Sequence, residues 1–197
     1  LLKINSTIIS DEKISPFKII KKIALKRNLK IFKINKELNK LKSLSSKLKV
    51  DFKVKNLAMA IEAAKLCGLK KNLAYASINK LEDVDGRFEL AKRFPQNIQV
   101  FIDYAHTPDA LLKTLKSLKI SHGKNISIVF GCGGDRDKQK RPLMAQIANR
   151  LCQKIYITDD NPRNENPTKI RNQLSKYINN NKLFNIGKRD IAIKKAI

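Results

Sequence analysis

Apolar residues arrive in short runs whose spacing changes along the chain. In the first 50 residues, "STIISDEKIS" predicts a strand and turn, "PFKIIKKIALKRN" a helix and "LKIFKIN" a second strand. "KNLAMAIEAAKLCGLKKN" sets Leu57, Ile61, Ala64 and Leu69 close to helical spacing, with Gly68 as a stop signal, and so predicts an amphipathic helix. Residues 80–97, "KLEDVDGRFELAKRFPQN", mix charge with Gly and Pro. They predict a connection between two folded units, with the boundary near Pro95.

Beyond that point the pattern becomes regular. "IQVFIDYA", "NISIVFGC" and "QKIYITDD" have the character of strands, and "TPDALLKTLKSLK", "KRPLMAQIANRLC" and "PTKIRNQLSKYIN" that of helices, in alternation. Alternation of this kind predicts βαβ units. The strands are continuous apolar runs, as expected for a parallel sheet covered on both faces. The predicted class is α/β, with a Rossmann-like second domain.

Composition changes this picture little. No apolar run approaches a membrane span of roughly 18 residues, so no membrane association is expected. Cys67, Cys132 and Cys152 are odd in number, widely spaced and at no zinc spacing, which suits a reducing compartment. The net charge of +25 invites a nucleic-acid reading. Its distribution argues against one: of 42 basic residues nine are Arg and 33 are Lys, spread among many Ile and Asn. The Lys excess makes each Arg more informative, because the guanidinium is a planar fork for carboxylate and phosphate. Four fall in motif-like stretches: Arg87, Arg136, Arg141 and Arg163.

Three polar clusters each follow a predicted strand and precede a predicted helix, where ligands of open parallel sheets sit. In "GCGGDRDKQKR", Gly131, Gly133 and Gly134 would let the backbone approach a ligand and aim N–H groups at an anion, or simply make a tight turn. Arg136, Lys138, Lys140 and Arg141 give that loop a positive end, which could equally be a solvated face. Neither the P-loop nor the dinucleotide fingerprint is present. "DYAHTPDA" puts Asp103 at a strand end, able to accept from a ribose diol, with His106 three residues on. "TDDNPRNENP" joins Asp159, Asp160, Asn161 and Arg163 around Pro162, a loop able to read both charges of a zwitterion or to serve as an Asn-Pro turn. Together the three clusters point to a site.

"DYAHTPDAL", "VFGCGGDRDKQKRPLM" and "DDNPRNENP", in this order and spacing, resemble the C-terminal domain of the Mur ligases. The resemblance is closest to the branch that adds meso-diaminopimelate, and it is close over residues 98–170. Upstream, "FKVKNLAMAIEAAKLCG" resembles a helix of the family's central ATP-binding domain, with Lys53 where the pattern usually has its first Asn. "VDGRFE" resembles the stretch that closes that domain. Residues 1–95 are thus expected to be the C-terminal part of the central domain, and 96–197 an incomplete C-terminal, amino-acid-binding domain.

The resemblance implies ATP-dependent amide ligation on a cytoplasmic peptidoglycan precursor, by a monomer without nucleic-acid partners. ATP would phosphorylate the D-glutamate carboxylate of UDP-N-acetylmuramoyl-L-alanyl-D-glutamate, and the amine of meso-diaminopimelate would attack the acyl phosphate. Carried over by residue, Asn56, Arg87, Asp103 and His106 would lie on the nucleotide side, Arg87 toward the phosphates and Asp103 toward the ribose. Arg136, Asp160, Asn161, Pro162 and Arg163 would hold the amino acid. In the family, Arg at the last position of "DNPR" goes with diaminopimelate, whose distal carboxylate lysine lacks. The P-loop, a carbamylated lysine and the Mg2+ ligands are expected upstream of residue 1, and a further amino-acid-binding stretch beyond residue 197. An opening without Met fits a piece of a longer protein, and the chain alone is expected to be inactive. Alternatives are a lysine-adding relative, a folylpolyglutamate or cyanophycin synthetase, a basic polyanion-binding module, or a remnant that only binds a partner.

Overall fold

The computed structural model describes residues 6–44, 51–123 and 125–197. It divides into two compact units, Leu1–Glu82 and Asp83–Ile197. The opening "LLKIN" lies outside the described residues. None of the described helices is long and apolar enough to cross a membrane.

The first unit begins with β1 (Thr7–Ser10), α1 (Phe17–Lys26) and β2 (Lys30–Lys33). Its two strands pair in parallel, Ile8 opposite Ile31, as the sequence predicts for a strand, helix and strand. Then come α2 (Asn35–Leu44), α3 (Asp51–Leu66), the short α4 (Lys71–Ala76) and a 3-10 turn over Ser77–Lys80. A core of Ile34, Leu38, Leu41, Val54, Ala58, Ile61 and Ala74 joins the helices. The buried face of α3 is thus Val54, Ala58 and Ile61, one helical turn apart, whereas the expected core residue Leu69 is 41% exposed. Leu69 follows Gly68, whose φ of 93° has already turned the chain away from the helix axis.

The second unit opens with β3 (Glu89–Arg93) and β4 (Gln99–Ile102), an antiparallel pair with Leu90 opposite Phe101. Two expectations change here. "ELAKR" is a strand rather than part of a connection, and Pro95 sits in the turn of a hairpin, inside the compact unit that begins at Asp83. β4, expected in the parallel sheet, pairs with β3 in a separate two-stranded sheet.

From there the predicted alternation holds. α5 (Pro108–His122), β5 (Ser127–Phe130), α6 (Lys140–Leu151), β6 (Lys154–Ile157) and α7 (Pro167–Ser175) follow in turn. A 3-10 turn, β7 (Leu183–Asn185) and α8 (Arg189–Ala196) complete the unit. The sheet is parallel in the order β5-β6-β7. Ile155, Tyr156 and Ile157 on the central strand are all buried, because successive side chains enter opposite faces and both are covered. Leu111, Leu115, Met144, Ala145, Ala148, Ile170 and Leu174 bring α5, α6 and α7 onto this core. Thr107 caps α5 by accepting from the Ala110 amide, and Asn166 caps α7 by accepting from the Lys169 amide. Each is followed by a proline at the first helical position, which starts the helix directly after its polar loop.

Candidate functional site

The loops after β5 and β6 leave the carboxyl end of the parallel sheet side by side. A Cβ on Gly131 would stand 2.3 Å from the Thr158 carbonyl oxygen, and one on Gly134 only 1.8 Å from that of Pro162. Neither glycine has a positive φ. Their role is therefore steric: they let two backbones touch, whereas the sequence suggested an approach of backbone to ligand. The Gly134 amide donates to the Asn161 carbonyl at 2.9 Å, and the Arg163 Nη1 returns a bond to the Gly134 carbonyl at 2.7 Å.

Asp135 and Arg163 take left-handed conformations, φ 48° and 49°, which cost a non-glycine residue about 1 kcal/mol each. Side-chain acceptors hold both. The Asp135 amide donates to Glu165 Oε1 at 2.7 Å, and the Arg163 amide to Asn161 Oδ1 at 3.3 Å. Asp135 Oδ2 in turn accepts from the Asn164 amide at 3.1 Å.

Arg141 departs furthest from its expected place. Grouped by sequence with the exposed basic end of the loop, it is in fact 0% exposed. Its fork grips Glu165, Nη1 to Oε2 at 2.9 Å and Nη2 to Oε1 at 2.8 Å. Nη1 also donates to Gln173 Oε1 at 2.7 Å and Nη2 to the Gly133 carbonyl at 3.1 Å. Four of about five guanidinium N–H donors are thereby used, and Nε is buried without a hydrogen-bond partner among the described residues. Glu165 was not singled out from sequence. The signal was present, since an acid two residues after "NPR" lies in the same motif as the arginine, but nothing in the sequence paired it with Arg141. Hydrogen bonds from Arg141 hold the Glu165 carboxyl down to about 2, with the Asp135 amide and the Lys138 charge adding to the effect.

What remains free on these loops is a set of exposed charges. Arg136 is exposed and has no hydrogen-bond or ionic partner among the described residues. Asp160 is exposed, with Arg189 at 3.5 Å. Arg163 is exposed apart from the edge bound to Gly134, and it opens a turn closed by the Glu165 amide donating to the Pro162 carbonyl at 2.9 Å. Behind them Asp159 is paired with Arg171, and the Arg189 Nε donates to the Asp159 carbonyl at 3.1 Å. Arg171 lies on the predicted helix "PTKIRNQLSKYIN" and Arg189 beyond it, and neither was singled out from sequence.

The loop after β4 is built differently. Asp103 turns inward: Oδ2 accepts from the Phe88 amide at 2.8 Å, and Oδ1 from the Ala105 amide at 2.9 Å and the Thr114 hydroxyl at 3.1 Å. The carboxylate thus organises the loop, leaving Oδ2 room for one further donor. On the outside, the Arg87 guanidinium lies 4.3 Å from the centre of the Tyr104 ring, and Tyr104 meets His106 edge to face at 5.2 Å. All three are exposed. Lys140 ties this loop to the start of α6 by donating to the His106 carbonyl at 3.0 Å. The second unit therefore brings together eight of the nine residues assigned from sequence. Asn56 belongs to the first unit, on the exposed side of α3.

Among the described residues no group of three or more His, Cys, Asp or Glu side chains is placed to hold a metal ion. Burial pushes the Cys152 thiol up to about 12 and raises that of Cys132 as well, so neither is a nucleophile at neutral pH.

Comparison with known proteins agrees with this architecture. The UDP-N-acetylmuramoyl-L-alanyl-D-glutamate--2,6-diaminopimelate ligase of Rhizobium meliloti is 38% identical over 147 residues, covering 75% of this chain and 30% of that protein. The enzyme of the same name from Rickettsia montanensis is 42% identical over 148 residues, covering 74% and 30%. The chain thus spans about 30% of the length of the curated relatives it matches. A solved structure of such a ligase superposes with a TM-score of 0.52 at 38% identity, over 73% of this chain and 30% of that one. Folylpolyglutamate synthase of Mycobacterium tuberculosis, solved with ADP, shares the fold over 96% of this chain and 47% of that one, with a TM-score of 0.72 at 13% identity. Residues 86–197, more than half the chain, match the family model described as "Mur ligase, glutamate ligase domain", and the chain belongs to the Mur ligase family.

Proposed function

We propose that the chain is part of an ATP-dependent amide ligase that adds meso-diaminopimelate to UDP-N-acetylmuramoyl-L-alanyl-D-glutamate, and that its second unit holds the incoming amino acid. The observation that carries this reading is the pair of interlocked loops after β5 and β6. They fix the backbone of Arg163 and leave one edge of its guanidinium exposed, with Arg136 and Asp160 also exposed on the same loops. Arginine forks suit carboxylates, and an acid suits the ammonium of a zwitterion. Diaminopimelate has a distal carboxylate for Arg163, and lysine has none. The 38–42% identity to ligases named for 2,6-diaminopimelate supports the same choice.

On the nucleotide side, Arg87 would approach the phosphates, with His106 beside it. Tyr104 offers an exposed ring face, and the spare lone pair of Asp103 Oδ2 suits a ribose hydroxyl. The first unit would be the C-terminal part of an ATP-binding domain, with Asn56 as its nucleotide-binding residue. Transfer of the terminal phosphoryl group to the substrate carboxylate releases ADP. Attack of the amine nitrogen on the acyl carbon then forms the amide and expels phosphate, and a base takes the ammonium proton. In this scheme the present residues bind and orient the two small substrates.

The test is phosphate release by the complete protein that carries this chain, given ATP, magnesium and the UDP-linked dipeptide, with meso-diaminopimelate or L-lysine. Release with diaminopimelate is expected to fall by about 100-fold in kcat/KM on Arg163→Ala, as one charge-assisted fork is lost. Release with lysine alone would overturn the assignment of Arg163. No release with either would overturn the ligase reading.

A further inference from the structure

We infer that the ion pair of the buried Arg141 with Glu165 is a positioning device for Arg163, setting the aim of the specificity arginine from beneath the loop that carries it. The inference rests on the amino-acid reading of that loop and extends it to two residues that touch no substrate.

Arg163 and Glu165 are two residues apart on one loop, and the left-handed turn at Arg163 lies between Asn161 and Glu165. Glu165 is the loop's anchor. It is held by both arms of a fully buried guanidinium rooted in α6, and its Oε1 also receives the Asp135 amide of the neighbouring loop. The same guanidinium holds the Gly133 carbonyl, one residue before the glycine whose carbonyl accepts from Arg163 Nη1. Arg141 therefore fixes both ends of the Arg163 setting: the backbone it hangs from, through Glu165, and the carbonyl it leans on, through Gly133. Gln173 from α7 completes the grip at 2.7 Å. A bidentate pair defines orientation as well as distance, which a single lysine contact would not.

A misaimed fork costs affinity for the carboxylate it reads while leaving distant binding untouched. In the complete protein, Glu165→Gln is expected to raise KM for diaminopimelate by about 10-fold while KM for ATP stays within about twofold. The decisive measurement is a double-mutant cycle with Arg163→Ala. If Glu165 acts through Arg163, the double variant has the same diaminopimelate KM as Arg163→Ala alone. Additive losses, or equal rises in both KM values, would show a general structural role and overturn the inference. Cooperative thermal melting checks that each variant folds. Should Glu165→Gln fail that check, Gln173→Leu removes one acceptor and leaves the ion pair, with a KM rise of about threefold expected and an unchanged KM overturning the inference. Wild-type protein without diaminopimelate-dependent turnover would overturn the amino-acid reading itself. Wild-type turnover with normal KM in Glu165→Gln would overturn only the positioning role.

Discussion

The loops after β5 and β6 and the loop after β4, which Arg87 joins from just before β3, bring similar residues together, arginine beside acid and polar turn formers, yet they are built in opposite ways. The first two are locked to each other by backbone contact at Gly134, a fully buried Arg141 and the Arg163–Gly134 bond. The third turns its acid, Asp103, inward and displays Tyr104 and His106 outward, with Arg87 from before β3 over the Tyr104 ring. Rigid placement suits recognition of a small zwitterion, where an ångström decides whether a fork meets its carboxylate. An open cationic and aromatic surface suits a larger nucleotide with two recognisable parts. The lesson is that charge in a motif says little until its burial is known.

The strongest way to break the contrast is to pry the locked loops apart. Gly134→Ala places a methyl 1.8 Å from the Pro162 carbonyl oxygen, so the backbone must move, at a cost of about 3 kcal/mol. Gly123→Ala is the control. Its Cβ would meet nothing within 4 Å, and only the φ of 94° is strained, at about 1 kcal/mol. Denaturant unfolding of the two variants should separate them clearly, and equal losses would mean that the loop contact does not carry the unit.

Next in size is Arg141→Lys. A lysine cannot reach Glu165, Gln173 and the Gly133 carbonyl together, and it leaves buried acceptors unpaired, at about 2 kcal/mol. Arg136→Lys, on an exposed side chain without a partner among the described residues, should change stability by less than about 0.5 kcal/mol. Two arginines five residues apart would then differ several-fold in the same unfolding assay.

Much of this fold was legible in sequence. The helix and strand order from "TPDALLKTLKSLK" to "PTKIRNQLSKYIN" follows from continuous apolar runs alternating with helical spacing, a signal that burial in a parallel sheet produces directly. β3 was not legible because "ELAKR" is an edge segment, rich in charge, whose pairing with β4 depends on a hairpin partner. β7 is only three residues long and α8 lacks a strong apolar stripe, so both are set by the sheet and helices around them. The site divides similarly. The positions of Arg136, Asp160, Asn161 and Arg163 follow from their motifs. The burial of Arg141, the inward turn of Asp103 and the steric reason for the glycines follow from contacts between residues 15 to 28 apart in sequence, which no local pattern encodes.

Acidity separates the two regions by a third route. Glu165 has its ordinary value near 4.5 when unfolded and about 2 when folded, so the folded state favours its charged form. The stabilisation is fully present above pH 4.5, declines as pH falls, and is gone below about 2. Glu165→Gln removes that dependence, so the stability gap between wild type and variant should close between these values. Carboxylates common to both proteins cancel in the difference. A gap that stays constant to pH 2 would mean that Arg141 does not hold the ionised form.

The smallest effect on stability belongs to the open loop, and there function and folding should come apart. Tyr104 is 61% exposed and touches Arg87 and His106 from the solvent side. An exposed cation–π contact contributes about 0.5 kcal/mol, so Tyr104→Ala should leave the unfolding curve almost unchanged. Losing the ring removes a face on which a base could stack and releases Arg87 from its present direction. KM for ATP in the complete protein should therefore rise by about 10-fold, while KM for diaminopimelate stays within about twofold. That is the reverse of the pattern expected for Glu165→Gln. Two variants in one folded unit that weaken different substrates, each sparing the other, would assign the locked loops to the amino acid and the open loop to the nucleotide. Matching losses for both substrates would merge the two regions into one surface and remove the distinction their architecture draws.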